Sequence, residues 1–162
     1  MAHSIELVLA LDVFESAAEL PEPDQKLLLA AEKASEKAYA PYSGFLVGAA
    51  LLLADGTVHT GNNQENAAYP SGLCAERTAL FGLRINDPAT IITMMAVTAR
   101  PAQTPTYQAA WPCGGCRQVM LEYETQQGTP IAILMQADHG QVYKCHSVSA
   151  LLPLHFSRTS LV

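Results

Sequence analysis

Three of the four cysteines stand in two short motifs, each at the start of a predicted helix. Cys74-Ala-Glu76 opens one helix, and Pro112-Cys113-Gly-Gly-Cys116 opens the other. A helix N-terminus carries partial positive charge and free N–H groups, which lower the pKa of a thiol and favour the thiolate that binds metal. The Cys-x-x-Cys spacing lets one helical turn offer two sulfurs to a single tetrahedral ion. A fold that joins the two helix starts would therefore hold one metal ion with three sulfurs.

Three sulfur ligands leave the fourth position of a zinc ion open, and an open position distinguishes a catalytic zinc from a structural one. An ion in such a site lowers the pKa of water towards neutrality. Glu76 lies two residues after Cys74 and is placed to exchange protons with that water without binding the metal. Arg77 is the obvious cation to offset the net negative charge of Zn²⁺ with three thiolates.

Each of these features has a plainer explanation when it is taken alone. A Cys-x-x-Cys pair alone is as often a structural zinc site or a redox pair as anything else. Cys74 alone would be a buried thiol, and Glu76 alone would be a solvated carboxylate. The combination matches the signature of zinc deaminases, whose first ligand is His or Cys. Cys145 stands apart in a strand-like stretch and is predicted to be a buried structural thiol.

Strands that alternate with helices are predicted along most of the chain. The predicted strands cover residues 45–53, 57–61, 91–99, 130–135 and 141–146, and the predicted helices cover residues 24–39, 74–83, 115–123 and 148–152. This alternation predicts an α/β fold, a three-layer α/β/α sandwich whose five-stranded mixed sheet is antiparallel at its start and parallel later. Residues 1–22 are interpreted as an N-terminal extension, either a short extra helix or an arm packed on a neighbour, and residues 23–162 as one catalytic domain.

The charge balance narrows the class of partner. The chain has a formal net charge of −6 at pH 7 and no cluster of lysine or arginine, whereas a protein that grips a phosphate backbone needs positive charge. No long nucleic acid is therefore expected as a partner, and a small neutral ligand fits better. No apolar run reaches the length of a membrane span, and the N-terminus lacks the positive region of a secretory signal. We expect a cytoplasmic protein without a membrane partner.

In these motifs the sequence resembles the cytidine deaminases, in particular the small homotetrameric kind with three zinc cysteines. The resemblance runs from about Asp24 to Leu161 and is carried by five blocks in the same order. The blocks are residues 40–51 (APYSGFLVGAAL), 61–67 (GNNQENA), 74–79 (CAERTA), 112–119 (PCGGCRQV) and 151–156 (LLPLHF).

This resemblance implies the chemistry and the site. The implied reaction is the hydrolytic deamination of cytidine and deoxycytidine in pyrimidine salvage, with one Zn²⁺ per chain on Cys74, Cys113 and Cys116, and with Glu76 as the proton carrier. Asn63 and Glu65 would hydrogen-bond the ribose, Phe45 would pack beside the nucleoside, and the Ala67 N–H would bind the base carbonyl. Phe156 would reach into the pocket of a neighbouring subunit, so that sites are shared in a homotetramer.

Two other interpretations remain open on sequence alone. A related small deaminase acting on another aminopyrimidine, such as a blasticidin-type nucleoside, would share the three cysteines and Glu76. An inactive zinc-binding homologue would also keep the cysteines, although an intact Glu76 beside an open metal position argues against it. The Asn63-x-Glu65 pair and Phe156 favour a ribonucleoside or deoxyribonucleoside.

Overall fold

The computed structural model of the protein describes residues 3–86 and 89–161. Its strands are β1 (Asp12–Phe14), β2 (Phe45–Leu53), β3 (Val58–Asn62), β4 (Ile92–Pro101), β5 (Ala132–Gln136) and β6 (Val142–Cys145). Its α-helices are α1 (Glu22–Ser35), α2 (Ala75–Asn86), α3 (Gly114–Gln127) and α4 (Val148–Leu151). Short 3₁₀ turns lie at Ala17–Glu19, Tyr69–Ser71, Asp138–Gly140 and Arg158–Leu161. The α/β class predicted from the sequence is confirmed.

The strands form one mixed sheet in the order β1-β6-β5-β4-β2-β3. β4 and β5 run parallel, and α3 lies in the long crossover that a parallel pair requires. The remaining neighbours, β1–β6, β5–β6, β2–β4 and β2–β3, are antiparallel. The parallel pair at the centre of the sheet brings the start of α3 to the same region as the start of α2.

The expectation of five strands is wrong, because the described sheet has six. The additional strand, β1, lies within the first 22 residues, and its Asp12 is paired with Lys144 of β6. A three-residue edge strand is too short to show alternation, and its partner is remote in sequence. The expectation of a parallel pairing late in the chain holds for β4 and β5 only. β6 is antiparallel to β5 because the short turn at Asp138–Gly140 joins them, and such a turn leaves no room for a crossover.

The first helix is displaced relative to its predicted bounds of 24–39. It begins at Glu22, because Pro23 in the first turn gives up an N–H that has no partner inside the helix anyway. It ends at Ser35, and the chain then runs beside the polar loop that follows β3. There the Tyr39 N–H donates to Asn63 O at 3.0 Å, and the Glu65 N–H donates to Tyr39 O at 2.8 Å. Within the described ranges, no helix combines the length and the apolar character needed to cross a membrane.

Two clusters of buried side chains take alternate residues of the central strands. In β2, Ala49 and Leu51 join a large cluster that includes side chains of α2, α3 and α4, whereas Ala50 joins a smaller cluster with α1. Successive side chains of a strand point to opposite faces, so the two clusters use different faces of β2. Cys145 is fully buried in the large cluster, as the sequence predicts.

Two glycines let helices approach the sheet closely. A Cβ on Gly48 of β2 would lie 1.9 Å from the Ala31 carbonyl oxygen of α1, and one on Gly61 of β3 would lie 2.4 Å from the Ala79 nitrogen of α2. Real Cβ atoms do not approach other atoms so closely, so any larger residue would push the helix away. Gly61 therefore fixes the distance between β3 and the helix whose first turn carries Glu76.

Candidate active site

The three predicted cysteine ligands meet between the starts of α2 and α3. Cys74 directly precedes α2, Cys113 is the N-cap residue of α3, and Cys116 lies in the first turn of α3. Their sulfur atoms all lie within 4.8 Å of one another. Cys116 is buried and Cys113 is exposed, so the cluster is closed on one side and open on the other. The predicted convergence of the two motifs is therefore present.

The Cys74 sulfur interacts with the Cys116 thiol and with the Arg77 guanidinium. Hydrogen bonds from the Cys116 thiol and from the Arg77 guanidinium lower the pKa of Cys74 to about 5. The pKa of Cys116 is raised well above its ordinary range by the hydrogen bond with Cys74 and by burial. Arg77 Nη2 lies 3.6 Å from Cys74 Sγ. The lowered pKa of Cys74 thus favours its thiolate form, and the Arg77 cation lies beside it.

This arrangement fits a zinc ion. A tetrahedral ion with Zn–S distances of about 2.3 Å holds its sulfur ligands roughly 3.8 Å apart, which is compatible with the observed cluster. A coordinating thiol is deprotonated outright, so a divalent ion would remove the competition between Cys74 and Cys116 for a proton. Arg77 Nε is buried and has no hydrogen-bond partner among the described residues, and it lies in the side chain that already contacts a sulfur. Its N–H is thus a free donor beside the ligands.

Glu76 is a buried carboxyl group in the first turn of α2. Only 4% of its surface is exposed. Burial raises its pKa, and the nearby Cys74 thiolate raises it further. A carboxyl group whose pKa is moved towards neutrality can both accept and release a proton at ordinary pH, which is what a proton carrier requires.

A cleft of about 870 Å³ opens over this cluster. It is a concave site that combines apolar and aromatic walls with a few polar groups. The lining residues are Tyr42, Ser43, Phe45, Val47, Asn63, Gln64, Glu65, Asn66, Tyr69, Gly72, Leu73, Cys74, Glu76, Arg77, Val97, Ala109, Ala110, Trp111 and Cys113. Phe45, Asn63 and Glu65, predicted from the sequence to contact substrate, are therefore in the same cleft as Cys74 and Glu76.

The Asn63 side chain is tied to the start of β2. Its Oδ1 accepts from the Val47 N–H at 2.8 Å, and its Nδ2 donates to the Phe45 carbonyl at 2.8 Å. This pair of hydrogen bonds holds the strand that carries the Phe45 ring. Asn63 therefore orders one wall of the cleft in addition to lining it.

The Glu65 carboxylate is held by three donors from one turn. The N–H groups of Tyr42 and Ser43 donate to its Oε2 at 2.9 and 3.2 Å, and the Ser43 hydroxyl donates to its Oε1. These bonds, led by that of the Ser43 hydroxyl, hold the pKa of Glu65 below its ordinary value. Because Oε1 keeps further acceptor capacity, the side chain can still bind a ligand hydroxyl.

Two predicted substrate contacts lie outside the lining of this cleft. Ala67 is exposed, beside Asn66, whose Oδ1 accepts from the Ala68 N–H at 2.9 Å. Phe156 is 59% exposed, and its carbonyl accepts a hydrogen bond from Gln118 Nε2 on α3.

The cleft also contains residues that sequence reasoning missed. The rings of Tyr42 and Tyr69 are in edge contact with centroids 5.8 Å apart, and Ser43 holds Glu65. Trp111, 45% exposed, stands two residues before Cys113. The only sequence signal for Trp111 was an aromatic residue next to a ligand motif, and such a signal does not say which way the ring points.

The arrangement agrees with what comparisons with known proteins show. The model of the cytidine and deoxycytidylate deaminase zinc-binding region matches residues 21–129. A cytidine deaminase of Sporosarcina psychrophila is 39% identical over 137 residues, which cover 85% of this chain and 93% of that protein. A cytidine deaminase of Halalkalibacterium halodurans is 40% identical over 133 residues, covering 82% and 93%.

A solved structure is similar to this chain in fold as well as in sequence. The crystal structure of cytidine deaminase from Burkholderia pseudomallei superposes with a TM-score of 0.68 at 40% identity, covering 81% of this chain and 97% of that chain. The matched family region contains both cysteine motifs, and in the present structure those motifs converge on one cleft. The chain therefore belongs to the cytidine and deoxycytidylate deaminase zinc-binding family.

Proposed function

We propose that the protein catalyses the hydrolytic deamination of cytidine and deoxycytidine to uridine and deoxyuridine, with release of ammonia, as a step of pyrimidine salvage. The observation that carries this proposal is the buried Glu76 carboxyl group beside three converging cysteines, at a cleft that Glu76, Cys74 and Cys113 help to line. The relatives named cytidine deaminase, which match more than four fifths of the chain, support the substrate.

Cys74, Cys113 and Cys116 would hold one Zn²⁺ per chain. When bound, the ion supplies a water molecule of lowered pKa as the nucleophile. Glu76 would take a proton from the attacking water and deliver it to N3 of the cytosine ring. The same carboxylate would then take the proton of the hydroxyl formed at C4 and pass it to the exocyclic amine, which leaves as ammonia while the C4 carbonyl forms. The raised pKa of Glu76 suits this sequence, because the group must bind and release protons in turn.

Arg77 would balance the charge of the thiolates. Zn²⁺ with three thiolates has a net charge of −1, which weakens the pull of the ion on water. The guanidinium contact with Cys74 Sγ and the free Nε donor support a role in withdrawing charge from sulfur.

The remaining contacts would orient the nucleoside. Glu65 would accept a hydrogen bond from a ribose hydroxyl, since its carboxylate lines the cleft and retains acceptor capacity. Asn63 would also hydrogen-bond the ribose hydroxyl, Phe45 would pack beside the nucleoside, and the Ala67 N–H would bind the base carbonyl. A site built to pair with a hydroxyl rejects analogues that lack it, because its own polar groups are then left unpaired.

Assembly would complete the site. We infer a homotetramer in which Phe156 enters a neighbouring subunit's cleft. The exposure of Phe156 and its position outside the cleft of its own chain support this inference.

The proposal also covers the domain organisation of the chain, the layers of its fold and its location in the cell. Residues 23–162 would form the catalytic domain, with residues 1–22 as an extension. The use of different strand faces by the two buried clusters supports a three-layer α/β/α sandwich. The four free cysteines suit a reducing cytoplasmic location.

The first experiment measures the loss of cytidine absorbance with zinc-replete protein, for wild type, Glu76→Ala and a control. The control is Glu122→Ala, which removes an exposed carboxylate from α3. Wild type and the control should convert cytidine, whereas Glu76→Ala should keep one zinc per chain and lose roughly 10²–10⁴-fold or more of turnover. Activity of Glu76→Ala within tenfold of wild type would refute its role. A wild type that holds one zinc but leaves cytidine and deoxycytidine intact would refute the proposed reaction and favour either another aminopyrimidine substrate or an inactive zinc-binding homologue.

A further inference from the structure

Trp111 is the single tryptophan of the chain, and it lines the cleft. It stands on the segment between β4 and α3, directly before Pro112 and Cys113. Its side chain is 45% exposed, which leaves a large apolar ring surface open. A half-exposed tryptophan inside a concave site is an available contact surface for a ligand, because aromatic rings dominate the energetics of such contacts.

The segment that carries Trp111 is fixed at several points. The Gln108 N–H donates to Ala99 O at 2.9 Å, the Ala109 N–H donates to Asp138 Oδ1 at 3.0 Å, and Arg117 Nε donates to Pro112 O at 2.7 Å. These bonds hold the backbone on both sides of the tryptophan. An ordered backbone lowers the entropy that a contact residue loses when ligand binds.

The ring itself is held by Tyr143 of β6. The two ring centroids are 5.1 Å apart with an interplanar angle of 46°. Tyr143 does not line the cleft, so it supports the indole from the protein side and leaves the remainder of the indole surface to the cleft. The cleft thus has one aromatic residue, Phe45, on β2 and another, Trp111, on the loop that leads to the cysteines of α3.

We propose that Trp111 contacts the base of the bound nucleoside and is a specificity-determining residue of this site, acting on binding rather than on the chemical step. The inference rests on the proposed function, because a flat pyrimidine ring is the ligand whose face would stack on the indole. Glu76 and the thiolates carry the chemistry, and Trp111 offers neither a proton acceptor nor a metal ligand. Its loss should therefore raise KM and leave kcat nearly unchanged.

Two readouts test this proposal. The first is cytidine deamination by wild type, Trp111→Ala, Trp111→Phe and a control, Phe81→Ala, which removes an aromatic residue that is 40% exposed and lies outside the cleft lining. Trp111→Ala should raise KM roughly 5- to 150-fold, the range of base stacking on an aromatic side chain, with kcat within about threefold. Trp111→Phe should recover most of the affinity, and Phe81→Ala should leave KM unchanged.

The second readout is the intrinsic fluorescence of the wild type, which reports Trp111 alone. Titration with uridine should change the emission saturably, with a midpoint equal to the inhibition constant of uridine. Deamination of cytidine together with an emission that uridine does not move, and a KM of Trp111→Ala within twofold of wild type, would overturn the inference while the proposed function stands. An emission change on uridine binding without deamination would support the contact and refute the proposed reaction. A blue-shifted emission that uridine does not change would mean that the ring lies in an apolar contact that the ligand does not reach, and would overturn the proposal.

Discussion

The buried carboxylate of Glu124 on α3 accepts hydrogen bonds from four donors outside its helix. Its Oε2 accepts from the N–H groups of Ile131 and Val148, both at 2.8 Å. Its Oε1 accepts from the Ser149 N–H at 3.0 Å and from the Ser147 hydroxyl at 2.8 Å. These bonds tie the helix that carries Cys113 and Cys116 to the start of β5 and to α4. Glu124→Gln tests this connection with little change of volume.

The expected cost follows from the geometry of the four bonds. Glutamine keeps one acceptor oxygen, so its NH₂ group must face two of the donors. The less costly orientation directs the NH₂ group at Ser147 and Ser149, since the Ser147 hydroxyl can rotate to accept and also bonds the Ser149 N–H at 3.2 Å. One or two charge-assisted bonds of about 1.5–3 kcal/mol each are then lost or weakened. We expect the free energy of unfolding to fall by about 2–4 kcal/mol, and Tm to fall by roughly 4–16 °C.

The assay is urea unfolding followed by circular dichroism, at one protomer concentration and one zinc content, because binding and association both add to apparent stability. Glu122→Gln on the exposed side of the same helix is the matched control and should unfold within about 0.5 kcal/mol of wild type. If Glu124→Gln is also within about 0.5 kcal/mol of wild type, the four bonds do not stabilise the fold and the reasoning is refuted.

Three further predictions concern the cleft, the packing beneath it and the assembly. The Ser43 hydroxyl is the main cause of the lowered pKa of Glu65, so Ser43→Ala should raise that pKa and the carboxylate should be protonated at a higher pH than in wild type. An NMR titration of the Glu65 carboxyl carbon measures this pKa. An unchanged titration midpoint would contradict the prediction. Any stability from this depressed pKa is present above the ordinary glutamate pKa and is lost as pH falls through the folded value. Gly61→Ala should lower Tm by overpacking α2 against β3, at a cost of about 1–3 kcal/mol, whereas Gly115→Ala, whose Cβ meets open space, should be tolerated; equal melting temperatures would contradict this. Co-expressed Phe156→Ala and Glu76→Ala chains should together show more activity than either alone if sites are shared between subunits, and activity no greater than the sum would argue for self-contained sites.

Local patterns in the sequence predicted the elements that carry the chemistry. The apolar run of β2 followed by Asp55-Gly56 predicted the hairpin. The two cysteine motifs predicted helix starts, and the structure brings the sulfur atoms of these motifs within 4.8 Å of one another. These features are local, since a turn type or a ligand spacing is set by a few neighbouring residues. The resemblance to the cytidine deaminases supplied the polar residues of the loop after β3, which the cleft contains.

Features that depend on remote partners were not predictable in the same way. β1 has three residues and is a strand only because β6 offers it an edge. Glu124 looks like any surface glutamate of an amphipathic helix until its donors from the far end of the chain are known. The Trp111 ring lies against Tyr143, a residue of β6 that is remote from it in the sequence. In each case the deciding contact joins residues that a reading of short segments treats separately.

The pairing of β1 with β6 has a consequence for the order in which the protein is made. The side-chain contact between Asp12 and His146 joins residues 134 positions apart. At a synthesis rate of about 5–20 residues per second, the N-terminal segment leaves the ribosome roughly 7–27 s before its partner strand is complete. The segment carries Ile5 and Val8, which remain 80% and 84% exposed even in the folded chain. β1 can therefore join the sheet only after β6 has been synthesised, and through that interval the N-terminal segment lacks the strand with which it pairs.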